Sequence, residues 1–350
     1  MEPRDLSGGL PAEREDIRRH EPDVPFWADN LLFAVHDPAL GAAMWLHLGT
    51  VPNDWSMWHE MNYALLPGDE GVLSMWSYHR TPPERRPAGS NLELRCLEPF
   101  RRWHVTFDGY GLFTPLAEVQ EGVARLGATR RWVVDLEIEG VTPLWDYHTS
   151  VSATTGRGTM HGQGWAREHY EQMYWARGTV QFGTDVLPFD GYGWRDHSQG
   201  PRGSGEGAPW GGHVTAGNVY PSGRGWGASR FWAPDGTITL EGGWVCDEQG
   251  TLHHAEVVEA AQLTDLVYAG EELPFALKWP GGTLELSITT ERSLWLSMGG
   301  GLPVGKNLDG TGLMFTPTWG RSEWDGEVGR TYIERSNPLN AMPGELRYGQ

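Results

Sequence analysis

Between residues 189 and 203 the chain reads FDGYGWRDHSQGPRG, which sets Arg195, Asp196, His197 and Ser198 in a row beside Phe189, Tyr192 and Trp194. An aspartate between a tryptophan and a histidine is suited to general-acid chemistry. An apolar wall disfavours the ionised carboxylate, and a neighbouring hydrogen bond orients the proton. If the run is a strand, Trp194, Asp196 and Ser198 project one way and Arg195 and His197 the other. A structural reading competes with this one: Arg195 or Arg202 holds Asp196 ionised, and an Arg–Asp pair pins a turn between two domains. The motif alone leaves both open.

Other constellations carry less. No GxxxxGK[ST] or strand-bound GxGxxG occurs, and Ser198 sits in DHSQG rather than in a GxSxG elbow, so neither phosphate cradling nor a serine nucleophile is indicated. His253, His254, Glu256 and Glu259 invite a metal, but adjacent strand residues face opposite ways, and a wet hairpin rim fits better. MWHEMNY (57–63) and HGQGWAREH (161–169) each offer a pocket histidine.

The elements that must position these residues read as strands. Leu284, Leu286 and Ile288 alternate with polar neighbours, as do Trp132, Val134, Leu136 and Ile138, and Trp103, Val105 and Phe107, the pattern of strands with one buried face. Turn signals at 233–236, 247–250 and 280–282 separate such runs into a meander. Helix candidates are few; 116–127 is the best, and 164–178 reads as a strand entering the second half. The glycine-rich stretch 199–212 reads as a loop at a functional rim. The fold class is all-β: two antiparallel barrel or curved-sheet halves with few short helices. The first half spans 22–160 and the second 161–340, carrying the motif, with loosely held arms at 1–21 and 341–350.

Composition narrows the partners. The 350 residues include 46 acidic and 27 basic side chains, a net charge of −19, which repels phosphate backbones and anionic membranes. No nucleic-acid partner and no membrane insertion are expected. Two cysteines, Cys96 and Cys246, are too few for a disulfide framework and fit a reducing compartment. With no secretory signal visible, the expected location is the cytoplasm. The 19 tryptophans fill a core or line a pocket for an apolar ligand.

The segment 169–202 resembles carotenoid 1,2-hydratase (hydroxyneurosporene synthase)-like and AttH-like proteins. The matching positions are Glu171, Gln172, Gly178, Gly191, Gly193, Arg195, Asp196, His197, Ser198 and Gly200; Gln199 departs, standing where relatives usually carry tryptophan. GRTYIERSN (329–337) is like the strand that ends such chains. The resemblance implies two packed lipocalin-like halves. It also implies chemistry without metal or organic cofactor, either hydration of isoprenoid double bonds or, in related proteins, pericyclic ring closure.

These readings together point to a lyase or isomerase, a hydratase or cyclase acting on an apolar, terpenoid-like small molecule by protonating an alkene, with no cofactor. Asp196 is the acid, His197 orients or re-protonates it, and Arg195 fixes the loop or binds a polar head group. Trp194, Tyr192, Tyr174 and Trp175 are candidates for the pocket wall, and Glu171 and His213 for further acid–base partners. The alternatives are a non-catalytic carrier of an apolar ligand and a pericyclase in which shape does the work.

Overall fold

Alternation in the sequence becomes alternation of burial in the structure. In the computed structural model Trp132, Val134, Leu136 and Ile138 are buried while Asp135, Glu137 and Glu139 between and beyond them are exposed. The structure describes residues 4–15, 17, 23–52, 54–121, 127–202, 210–298 and 312–338.

The chain opens with β1 (Trp27–Asp37), β2 (Ala42–Val51), β3 (Asp54–Leu65), β4 (Gly71–Arg80), β5 (Leu92–Glu98) and β6 (Arg102–Pro115). Helix α1 (Leu116–Glu121), β7 (Thr129–Gly140), β8 (Trp145–Asp146), α2 (Tyr147–Ser152) and β9 (Arg157–Gly158) follow. Two long strands, β10 (Glu168–Phe182) and β11 (Asp185–Pro201), form a hairpin. The remainder is β12 (Gly212–Val219), β13 (Gly225–Trp232), β14 (Ile238–Cys246), β15 (Leu252–Ala260) and β16 (Glu272–Trp279). It ends with β17 (Gly282–Ser293), β18 (Leu296–Met298), β19 (Leu313–Trp324) and β20 (Glu327–Pro338).

The strands make two antiparallel sheets. The first runs β11-β1-β2-β3-β4-β6-β7-β10, and β10 pairs again with β11. Its interior is packed with Phe33, Trp58, Trp103, Phe107, Trp132 and Tyr174. The second runs β13-β12-β20-β19-β17-β16-β15-β14 and closes through β13–β14 into an eight-stranded barrel around Trp226, Phe275, Leu277 and Ile333. The three hairpin turns expected from sequence fall between β13 and β14, β14 and β15, and β16 and β17. At the first two, Gly236 and Gly250 sit at φ of 83° and 85°, where a side chain would strain the backbone.

The division of the chain departs from the sequence reading. The first unit comprises Met1–Phe113, Leu126–Asp146 and Gln163–Gly207; the second comprises Thr114–Arg125, Tyr147–Gly162 and Ala208–Gln350. The motif-bearing strands therefore belong to the first sheet, not to a second half starting at 161. Low local hydrophobicity at 152–164 suggested a boundary, but long-range pairing of β11 with β1 decides membership.

Two smaller expectations also change. Residues 199–201 continue β11 instead of opening a loop, and 203–209 lie outside the described residues. Of the helix expected at 116–127, Leu116–Glu121 is helical as α1, and 122–126 lie outside the described residues. The expected N-terminal arm is anchored: Leu6 packs with Phe100, Leu144 and Tyr170, and Glu15 is buried. Residues 341–350 lie outside the described residues. Cys246 is buried and Cys96 half-buried.

Candidate functional site

Strand β11 separates the motif into two chemistries. Phe189 faces the first core, and Arg195 and His197 share its side by alternation. Arg195 is buried; its Nη2 and Nη1 donate to the Glu15 carboxylate at 2.5 and 3.2 Å, and its Nε donates to Gln172 Oε1 at 2.9 Å. Gln172 is in turn fixed by donating to the carbonyls of Phe100 and Thr142. The guanidinium lies over the rings of Trp103 and Tyr170. Burial opposes its charge, but the Glu15 carboxylate outweighs that and holds the proton more firmly than usual.

His197 is equally enclosed. Its Nε2 lies 2.5 Å from Asp29 Oδ1 and its Nδ1 2.7 Å from the Tyr170 hydroxyl. A carboxylate can only accept, so Nε2 carries a proton toward Asp29. Gln199 donates to the second Asp29 oxygen at 3.0 Å. This corrects one expected role: His197 faces away from Asp196 and does not orient it. Arg195 is engaged by Glu15 and Gln172, which is compatible with fixing the local chain, the first of its two expected roles, rather than with holding a head group.

The opposite face holds Asp196. Register places Glu171, Asp196, Leu32, His47 and Met61 in one row across β10, β11, β1, β2 and β3. The row on one side is His169, Ser198, Asn30, Gly49 and His59; on the other it is Met173, Trp194, Ala34, Trp45 and Tyr63. Every residue of β1 is buried, on both faces. Glu171, Trp194, Trp45 and Tyr63 are buried, whereas Asp196, His47 and His59 are half-buried.

Asp196 and Glu171 are direct cross-strand partners, which brings their Cβ atoms to about 5 Å. His169 Nε2 lies 3.1 Å from Glu171 Oε1, and Arg202 donates to Ser198 at 2.6 Å. Burial lowers the His169 imidazole to about 4 against the pull of Asp196. Burial likewise lowers Arg202 to about 10, opposed by Asp196 and Asp29. His59 is lowered to about 4 by burial and by Arg202, and His47 well below its ordinary value by burial, His59 and Arg202. The face therefore carries neutral imidazoles, two adjacent carboxyls and aromatic rings.

The remaining sequence candidates separate. Tyr192 shares the Asp196 face and bonds His36 Nδ1 at 3.2 Å, and half-buried Trp175 is its cross-strand partner. Tyr174 is on the inner face, in the core, and donates to the Ala34 carbonyl. His213 belongs to the second unit, where its Nδ1 lies 2.6 Å from Ser336 Oγ and its Nε2 3.3 Å from Glu334. Sequence reasoning missed Glu15, Asp29, Asn30 and Tyr63. The two short stretches flagged for histidines supplied His59 and His169, and a buried arginine's need for a carboxylate was the available signal for Glu15.

Among the described residues, no cluster of three or more metal-ligating side chains occurs, and no helix is long and apolar enough to cross a membrane. The all-β fold defined here is shared with solved structures of low sequence identity. An AttH-like protein of Nitrosomonas europaea aligns with a TM-score of 0.56 at 11% identity, covering 90% of this chain and 93% of its own. Kievitone hydratase from Nectria haematococca aligns with a TM-score of 0.50 at 9% identity, covering 89% and 88% respectively. Residues 13–338 match the family described as "Domain of unknown function (DUF7064)", and the chain belongs to that family. A comparison with curated proteins finds no match.

Proposed function

We propose that the protein is a cofactor-independent enzyme of hydratase type, which protonates a double bond of an apolar, terpenoid-like small molecule on the outer face of the first sheet. Asp196 is the acid and Glu171 its partner. The observation that carries this reading is their cross-strand pairing on a face walled by Trp194, Trp45 and Tyr63. Two carboxyls at this spacing cannot both ionise cheaply, so the pair is suited to retaining one proton at neutral pH. The aromatic rings offer π-faces to the cation that protonation of carbon creates.

The kinship in fold to a protein named for hydrating kievitone is in keeping with addition of water. The motif at 195–198 extends the reading to carotenoid 1,2-hydratase-like chemistry. A ligand carried inside the first sheet fits less well, because Trp58, Trp103, Phe107 and Trp132 fill that interior.

The test is incubation with a terpenoid panel in deuterated water. Deuterium should appear at carbon and fall by about 10²–10⁴ in Asp196→Asn. Turnover that survives the substitution would sink the assignment.

A further inference from the structure

Among the described residues, three polar atoms on the outer face of β1, β2 and β3 are buried without a hydrogen-bond partner: Asn30 Nδ2, His47 Nδ1 and Tyr63 Oη. A buried polar group left unpaired is destabilising. Three on one sheet face mark a surface made for something else to satisfy. They occupy three consecutive rows of the sheet, beside Gly49, Leu32 and Trp45 respectively.

The surroundings keep them aimed outward. A Cβ at Gly49 would stand 2.1 Å from Asn30 Oδ1 and 2.9 Å from His59 Nε2, so the bare backbone makes room for both side chains. Trp45 stacks on His47 with ring centroids 5.5 Å apart and 10° between planes, and Tyr63 packs at 5.9 Å from Trp45. The His47 and His59 rings approach to 5.1 Å. Asn30 and Tyr63 are only 4% and 1% exposed, while the two imidazoles are half-buried. The groups on offer are an amide N–H, a phenol and an imidazole that burial keeps neutral. Arg202 is the neighbouring cation; it is already bonded to Ser198 and felt by Asp196.

We propose that His47 and Tyr63, which both pack against Trp45, form a subsite for an uncharged oxygen, a hydroxyl or carbonyl, at the end of the substrate remote from the Asp196–Glu171 pair, with Asn30 on β1 between the two ends. The inference rests on the reading of that pair as the acid and adds the substrate's polarity. Asp196 and His47 are both register partners of Leu32, so two inter-strand spacings, about 10 Å, separate their backbones. The substrate is then amphipathic, its double bond at the carboxyls and its oxygen near His47, with apolar chain over Leu32 and Ala34. A hydrocarbon would leave the His47 and Tyr63 atoms unpaired, and polar sites reject such analogues strongly.

Three probes sharing one chain test this by tryptophan-fluorescence titration at neutral pH: farnesol, farnesene and farnesoic acid. Farnesol should bind about tenfold or more tightly than farnesene, the worth of a hydrogen bond in a dry site. Tyr63→Phe and His47→Phe should each shrink that preference, and Tyr63→Phe should leave the melting temperature unchanged because its hydroxyl has no partner among the described residues. Equal binding of farnesene and farnesol, or failure of all three to bind, overturns the subsite. Tightest binding of farnesoic acid overturns the uncharged assignment. Asp196→Asn should keep the farnesol preference. If turnover also survives in Asp196→Asn, the acid reading alone fails, so the two proposals can fail separately.

Discussion

Each unit buries an arginine near the end of its last sheet strand, and the face behind that arginine differs between them. In the first unit Arg195 on β11 is gripped by Glu15, a residue from outside the sheet whose side chain is 1% exposed. In the second, Arg335 on β20 donates to both Glu271 oxygens at 3.1 and 2.6 Å, and the Glu271 side chain is 17% exposed. The next residue along points the other way: Asp196 in one strand, Ser336 in the other. Ser336 is satisfied on the spot by His213 and by the Trp210 indole N–H at 3.0 Å. Among the described residues, the Asp196 face instead leaves Asn30, His47 and Tyr63 with unpaired atoms. A polar cluster that satisfies itself needs no further partner; one left incomplete calls for an explanation, of which a bound ligand is one.

The largest effect that would break the comparison concerns the arginines. Glu15→Ala strands a fully buried guanidinium and should cost about 3–5 kcal/mol in urea denaturation. Glu271→Ala should cost clearly less, because Glu271 is partly wet whereas Glu15 is not; each arginine keeps one other acceptor, Gln172 or the Gln262 carbonyl. Equal losses would erase the distinction. Next comes Ser336→Ala, which leaves His213 Nδ1 and Trp210 Nε1 without that partner and should cost about 1–3 kcal/mol. Deuterium incorporation should be unchanged; a lost rate would move chemistry to the second unit.

The smallest effect is a slope with pH. His47, His59 and His169 are lowered by burial, the last two to about 4, while in the unfolded chain they titrate near about 6.5. Between those values the unfolded state binds more protons. Stability is therefore fully present above about pH 6.5 and falls as the pH drops toward 4. Melting temperatures at pH 7.5 and 5 should show the fall, and His59→Phe should flatten it. An unaltered slope in that variant would mean that His59 is not held neutral by burial.

Much of the fold was legible because burial writes itself locally. Alternation at 132–138 and 284–288, and the turn residues at 233–236, are properties of a few neighbouring positions. The strand reading of 164–178 also matches β10, which begins at Glu168. Membership of β10 and β11 was not legible, since it depends on pairing between residues far apart in the chain, such as Leu32 with Asp196. The opposite faces of Asp196 and His197 followed from strand parity, yet the two were assigned one task because adjacency in sequence suggests contact.

By itself, then, the sequence determined an all-β chain, its hairpins, and a strand on which arginine and histidine face one way and aspartate the other. Backbone geometry of a single strand suffices for that. Tertiary structure decided the partners: Glu15 for Arg195, Asp29 for His197, Glu171 beside Asp196, and the unpaired polar atoms of Asn30, His47 and Tyr63 one, two and three strands away. The physical reason is that a charge's environment is set by whichever residues share its burial. In a sheet those residues are fixed by register and closure, quantities that no short window of sequence contains.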